Sequence, residues 1–499
     1  MFEAFWTADT VRTNQVITVA ADKRLTDINF IRREIETFEV SGKRQMMQDG
    51  ERYFKGDHDI LHVERKAISV GGELRVVKNL PNNRIVDNQY KKMVSQKVNY
   101  LLGKPVIFQA DCEAYESVLK EFFDKSFSRV IKNVGKDAIN TGVGWLLVHY
   151  DQDGRFKFKR IPGSHLIPYW RDVEHTILDG AIRFYYMVSY AENIPKQILK
   201  VEVYDQNGVW YYSTEQGALE PEPLPYMPYF TLQKSGEKMS CNWTRIPLIP
   251  FKYNSEEIPL IKSVKSLQDG LNQIISTFQN NMEEDARNTI MVLVNYDGEG
   301  LGEFRQNLST YGAIKVRSEG SGTGGDVKTL QVDVNAENYK AILKLFKEAI
   351  VENAMGYDAK DDRLSGSPNQ MNIQSMYSDI DLDSNEMETE FQASFEHLLW
   401  FVNSHIENNG MGDFSGEKVE ITFNRDILMN ESEAIDNAVK LSGMISDKTL
   451  LAKIPWVTDP QKELERVAEQ KKENMETFGF PQENQSGVDG KGGEPVDEE

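Results

Sequence analysis

The chain has 499 residues, a formal net charge of −21 and an apolar content of 40%, enough for a sizeable core spread over several subdomains. With pI ≈ 5.0, it does not suit a protein that grips nucleic acid by neutralising phosphates along a basic face, but suits one that touches DNA without holding it. Two cysteines, Cys112 and Cys241, are too few for a disulfide scaffold or a four-cysteine zinc site and read as buried, reduced thiols.

Residues 1–25 read as an irregular arm without the basic and apolar regions of a secretion signal. No run of eighteen apolar residues occurs, so a cytoplasmic site of synthesis is expected. LTDINFIRREIETFEVSGKRQMMQDGERYFKG, residues 25–56, predicts helix with Asp27 as N-cap. In NLPNNRIVDNQYKKMVSQKVNYLLGKPV, Pro81 and two asparagines mark a helix start. Ile85, Tyr90, Val94, Val98 and Leu101 then recur at helical spacing, and Gly103 and Pro105 end the run. A further helix is expected over 114–140.

Residues 143–254 alternate apolar and polar positions around the turns Asp153-Gly154 and Asn207-Gly208, which predicts an antiparallel β subdomain. A helix over 255–290 capped by Ser255 follows, then strands TIMVLVN, YGAIKVRS and VKTLQVDV around a loose SEGSGTGGD. Helices over 335–355 and 372–408 flank a charged loop. On the second of them, Phe391, Phe395, Leu398, Leu399 and Val402 form a face expected to pack on the body. The strand EKVEITFNRD, a helical end region and a Gly-rich acidic tail complete the chain.

No motif points to catalysis. In GSGTGGDVKT, 320–329, Asp326 follows the glycine where a phosphate loop needs lysine, and a strand follows where it needs a helix. His58 and His62 lack the glutamate and third ligand of a zinc site and read as a surface pair. DIDLDSNEMETE puts Asp379, Asp381, Asp383 and Glu390 at calcium-loop positions 1, 3, 5 and 12, but Ser384 stands where the turn needs glycine. An acidic face near the start of a long helix, favoured by the helix dipole, is the preferred reading. No cofactor or resident metal is expected.

The order of these stretches, with RYFKGDHDIL, KDAINTGVGWLLVHYD, IPLIPFKYNSEEIPLIKSVKSLQDGLNQIIS and SGSPNQMNIQSMYSDIDLDSNEMETEFQASFEHLL, resembles the portal proteins of tailed double-stranded-DNA bacteriophages, of the siphophage type. The resemblance implies an α+β, portal-type fold with an α/β wing, a long-helix stem, a small β-containing clip insertion and a helical crown. The wing would be residues 1–258, the stem helices 259–288 and 335–355, and the clip 289–334. A tunnel loop would span 356–372, a long wing helix and return strand 373–430, the crown 431–479, and a disordered acidic tail 480–499. Asp358, Lys360, Asp361, Asp362, Arg363 and Ser365 would face the DNA, in a loop of net charge −1 that lets the polyanion slide.

The implied protein is a non-enzymatic subunit of a ring, a dodecamer, at one capsid vertex of the virion, assembled in the host cytoplasm. Its implied partners are the terminase large subunit, the head–tail adaptor, and the major capsid and scaffolding proteins, with duplex DNA in the channel during packaging and ejection and no membrane. A metal-dependent nucleic-acid enzyme or a calcium-regulated scaffold using Asp379–Glu390 stands as the alternative.

Overall fold

Asp27 accepts a hydrogen bond from the Asn29 amide and begins helix α1 (Ile28–Glu39), as its place before an amphipathic run predicts. The computed structural model describes residues 25–68, 73–76, 80–191, 194–215, 217–234, 237–285, 290–294, 318–319, 323–324, 326–330, 336–358, 370–425, 439–452, 454, 457 and 460–477. The described residues fall in two compact units. One is drawn from Met1–Lys360 and Met376–Ile427, the other from Asp361–Ser375 and Leu428–Glu499. The arm, most of YGAIKVRS and the tail lie outside the described residues.

Two of the expected helices are each split by a side-chain cap. The Ser41 hydroxyl accepts from the Arg44 amide at 3.2 Å and starts α2 (Gly42–Lys55), which Gly56 closes at φ 95°. A short hairpin, β1 (Lys66–Ile68) with β2 (Leu74–Val76), follows. Asn88 caps α3 (Gln89–Leu102), so the residues from Pro81 to Asp87 precede the helix. After β3 (Ile107–Ala110) come α4 (Glu113–Phe122) and α5 (Lys125–Thr141) in place of one helix over 114–140. The Asp124 carboxylate accepts from the Phe127 amide at 2.8 Å, and this local bond wins over helix propagation.

The β subdomain follows with β4 (Val143–Tyr150), β5 (Phe156–Ile161), β6 (Leu166–Trp170), β7 (Leu178–Ala191), β8 (Ile194–Asp205), β9 (Gly208–Ser213), β10 (Glu220–Met227), β11 (Phe230–Lys234), β12 (Glu237–Cys241) and β13 (Leu248–Lys252). They form the sheets β13-β4-β5 and β10-β9-β8-β7-β6 and the hairpin β11-β12. The pairs are antiparallel throughout. Gly154 at φ 75° and Gly208 at φ 142° occupy the two expected turns.

Helix α6 (Ile261–Asp285) starts later than Ser255, which does not cap it. The Asn254 side chain instead accepts from the Ile258 amide at 2.8 Å, forming a turn with Glu257 at φ 56°. Then come β14 (Ile290–Val294), β15 (Ser318–Glu319), β16 (Thr323–Gly324) and β17 (Asp326–Leu330). β14 pairs with β17 and β15 with β16, so part of the glycine-rich stretch is a hairpin. Helices α7 (Ala336–Asn353) and α8 (Gln370–Asn408) follow, and β18 (Val419–Thr422) returns to pair with β3. In the other unit, α9 (Asp447–Ala452) packs against α10 (Pro460–Thr477).

The main core joins α3, α5, β4, β13 and α8 through Leu101, Phe127, Val134, Leu146, Phe251 and Phe395. The α8 face expected to pack, Phe391, Phe395, Leu398, Leu399 and Val402, is buried. Two expectations are corrected. Cys112 and Cys241 are free thiols but of intermediate exposure. His58 is buried and not a surface residue: Asn272 Nδ2 donates to its Nδ1 at 2.9 Å and its Nε2 lies 3.2 Å from the Tyr53 carbonyl. His62 is the exposed member and meets Asp57 at 2.7 Å.

Candidate functional site

Helices α6 and α7 lie side by side. Gly270 sits beneath Phe346, where a Cβ would come within 2.6 Å of the ring. Phe278 meets Tyr339 with ring centroids 4.5 Å apart, and Leu271 and Ile350 are buried. The pairs 270/346 and 278/339 run in opposite senses, so the helices are antiparallel.

A polar ladder fixes α6 to the segment before α3. The Gln268, Asn272, Ser276 and Asn280 side chains accept from the backbone amides of Tyr90, Asp87, Ile85 and Asn83 at 3.0, 3.0, 2.9 and 2.7 Å. The match is geometric. Two residues of extended chain advance about 6.6 Å and one four-residue helix step about 6.0 Å. The amides of residues 83, 85 and 87 therefore meet every fourth side chain, and the last rung falls three residues further on, at Tyr90 in the first turn of α3. Gln268, Asn272 and Ser276 are buried, so each bond satisfies a group that water does not reach. Lys347 of α7 joins Asp87 at 2.8 Å and ties the second helix to the same segment.

Helix α3 also holds the end of α7. The Gly356 amide donates to the Val351 carbonyl at 2.9 Å, closing α7, with Met355 at φ 47°. Gln96 Nε2 donates to the Tyr357 carbonyl at 2.8 Å, Lys97 Nζ to the Met355 carbonyl at 3.2 Å, and Lys92 pairs with Asp358 at 3.6 Å. Lys97 is 1% exposed and its Nζ lies 2.6 Å from Asp383 on α8. The Tyr253 hydroxyl donates to the same carboxylate at 2.5 Å. Burial holds the Lys97 amine below its ordinary range, and the Asp383 charge opposes that.

The Tyr357 and Tyr377 rings meet at 4.6 Å, and Tyr377 stacks on Tyr100 at 5.8 Å. Tyr357 and Tyr377, twenty positions apart, therefore meet in one aromatic clasp.

The profile of the family described as phage portal protein, SPP1 Gp6-like, matches residues 41–477. The chain belongs to this family. The portal protein of Bacillus phage SPP1 is 29% identical over 450 residues, 88% of this chain and 86% of that one. The portal protein of Clostridium phage phiCD119 is 26% identical over 447 residues, 87% and 94% of the two chains. A chain in the solved neck of a native GTA particle, computed with C12 symmetry, gives a TM-score of 0.40 at 11% identity over 73% of this chain and 89% of that one. Phage portal proteins are structural virion components, and this chain is a portal-vertex subunit for DNA packaging.

Within that family setting, Asp358 stands at the loop base. Lys360, Asp361, Asp362, Arg363 and Ser365 lie outside the described residues. Asp379, Asp381, Asp383 and Glu390 lie on unbroken helix, so the calcium-loop spacing is not realised as a loop. The dipole reading is corrected as well, because α8 begins at Gln370 and Asp379 is nine residues in. Partners hold two of these acids instead: Arg425 and the Tyr100 hydroxyl on Asp381, with Arg425 at 2.8 Å, and Lys97 on Asp383. Among the described residues no three His, Cys, Asp or Glu side chains group as metal ligands, and no helix is long and apolar enough to cross a membrane.

The ladder and Lys97 were missed from sequence. The one available signal was the four-residue repeat of polar side chains, 268 to 280, along α6.

Proposed function

We propose that the chain is one subunit of a closed ring, a dodecamer, whose bore passes double-stranded DNA into the capsid and out again. The family match over residues 41–477 carries this reading. The antiparallel pair α6–α7 serves as the stem, the insertion 289–334 as the clip, and 356–372 as the tunnel loop hung from the clasp at Tyr357 and Tyr377. Residues 1–258 and 373–430 form the wing, and 431–479 the crown. The clip receives the terminase large subunit and later the head–tail adaptor. The wing meets the major capsid and scaffolding proteins. ATP hydrolysis belongs to the separate motor, and assembly takes place in the host cytoplasm.

The loop's charges, Asp358, Lys360, Asp361, Asp362 and Arg363, sum to −1. Such a collar does not accumulate the phosphate contacts that would arrest DNA by counterion release. Shortening residues 358–366 tests the assignment. Rings that assemble normally but package no DNA are expected. Normal packaging by the shortened variant would contradict a role for this loop in the channel.

A further inference from the structure

Helix α5 carries a row of cations, of which Lys125 and Arg129 are exposed and Lys132 and Lys136 half-buried. Lys125, Arg129, Lys132 and Lys136 are spaced i, i+4, i+7 and i+11, so they share one face. The only carboxylate within α5, Asp137, is buried and held by Arg160 at 2.5 Å. The row begins at the positive end of the helix dipole, where cations are unfavourable, and the acid at that end is the N-cap Asp124. The Lys136 amine donates to the Asn133 side-chain oxygen at 3.2 Å and lies over the Phe54 ring at 5.6 Å. In a chain of net charge −21, this concentration stands out.

Helix α8 is its counterpart. It carries Asp379, Asp381, Asp383, Glu386, Glu388, Glu390, Glu396 and Glu407, and no lysine or arginine. Glu396 and Glu407 are exposed and border a cleft of ≈ 1040 Å³, with Glu390, Asp413 and Glu417 nearby in its walls. Among the described residues none of these five acids is in an ion pair. Of the cleft's cations, Arg171 is held by Asp179 and Lys252 donates to the Glu174 carbonyl at 3.0 Å. Arg245 lies over the Trp400 ring at 4.7 Å, and Lys418 stands exposed at the rim.

The two faces are distinct. A Cβ on Gly135 would meet Met387 at 3.5 Å and Phe391 at 3.7 Å, so the buried sides of α5 and α8 abut. By helical position the α5 row lies across from the buried Phe127, Ile131, Val134 and Ala138, and Glu396 and Glu407 lie across α8 from Met387 and Phe391. Lys125 to Lys136 and Glu396 to Glu407 both span eleven residues, about 16 Å. Two unlike, complementary patches on one subunit are what a head-to-tail ring contact requires; a two-fold dimer would use one self-complementary patch.

We infer that the basic face of α5 docks against the acidic outer face of α8 on the next copy of this chain. The inference rests on the ring reading above and names the surfaces that close the ring. Opposite charge sets the order and orientation of neighbours and speeds their encounter, while apolar contacts elsewhere supply affinity.

The test compares four proteins by electron-microscope imaging and native mass: wild type, Arg129→Glu/Lys132→Glu, Glu396→Lys/Glu407→Lys, and the variant with all four changes. Each two-residue variant should melt like wild type and form about tenfold fewer rings or less, since like charges then face each other. Mixing the two in equal amounts should restore rings, because every mixed contact is again opposite in sign. The four-residue variant should assemble alone. The neutral pair Arg129→Gln/Lys132→Gln, which introduces no new charge to disturb folding, should weaken rings by a smaller factor. Wild-type ring yield from the reversed variants would overturn the contact while leaving the ring reading intact; the α5 face would then serve another acidic partner, such as DNA. Losses that neither mixing nor the fourfold change rescues would overturn it too. Absence of rings in wild type would remove the ring reading and this contact with it.

Discussion

Lys97 is the residue on which the loop base depends. It joins three segments: α3, the end of α7 and, through Asp383, α8. Removing one member of a buried ion pair strands the other, so Lys97→Met should cost about 3–5 kcal/mol in denaturant unfolding, whereas replacing both members with apolar residues should cost much less. Equal losses in the single and double variants would show that the pair is not coupled. Asp137 behaves differently. Burial pushes its carboxyl up to about 6, against the pull of Arg160. The folded chain then holds a proton that the unfolded chain, with an ordinary carboxyl, releases earlier. The stability this gives is present in acid and disappears as pH rises from about 4 through about 6. Asp137→Asn should therefore gain on wild type by about 3 kcal/mol between pH 4 and pH 7; a difference that stays flat across that range would refute the shift. In the sequence, Lys97 stands among Lys91 and Lys92 on an ordinary amphipathic run. Its partners lie more than two hundred and fifty positions away, so spacing alone did not distinguish it. His58 likewise has a distant partner, Asn272, beside its near one, Tyr53.

At the scale of elements, the long helices were legible because their apolar period is strong. The helices expected over 259–288 and 335–355 are α6 at Ile261–Asp285 and α7 at Ala336–Asn353. Breaks inside helical runs were not legible, because Ser41 and Asp124 act through a single cap bond that leaves the apolar period intact. The segment before α3 was misread for a related reason. It borrows its hydrogen-bond partners from α6, and no local pattern announces them. Ser276→Ala tests that dependence. It leaves the half-buried Ile85 amide without its acceptor, at a cost of about 1–3 kcal/mol, and hydrogen exchange at Ile85 should quicken with it. Unchanged exchange and stability would mean that the ladder contributes nothing. Gly270→Val, placing carbon against the Phe346 ring, should destabilise by about 1–3 kcal/mol through overpacking between α6 and α7; a neutral result would show that they part freely.

For the whole molecule, family membership came from the order of many unremarkable stretches, since no catalytic motif was present to read. The six residues proposed to face DNA were legible only through that resemblance, and the fold adds the clasp that brings their loop's ends together. Strong acidity fits a bore that does not retain DNA and a subunit that stays soluble before assembly. If the α5 and α8 faces close the ring, assembly should weaken as salt rises past about 0.5 M, where screening shortens the reach of charge to a few ångströms. The central claim is that this chain builds a DNA-passing ring. Native mass and electron-microscope imaging of the purified protein at micromolar concentration test it most directly. The account predicts closed rings of twelve copies with an axial opening of at least about 20 Å, the width of duplex DNA. A monomer or a two-fold dimer across protein and salt concentrations would contradict it.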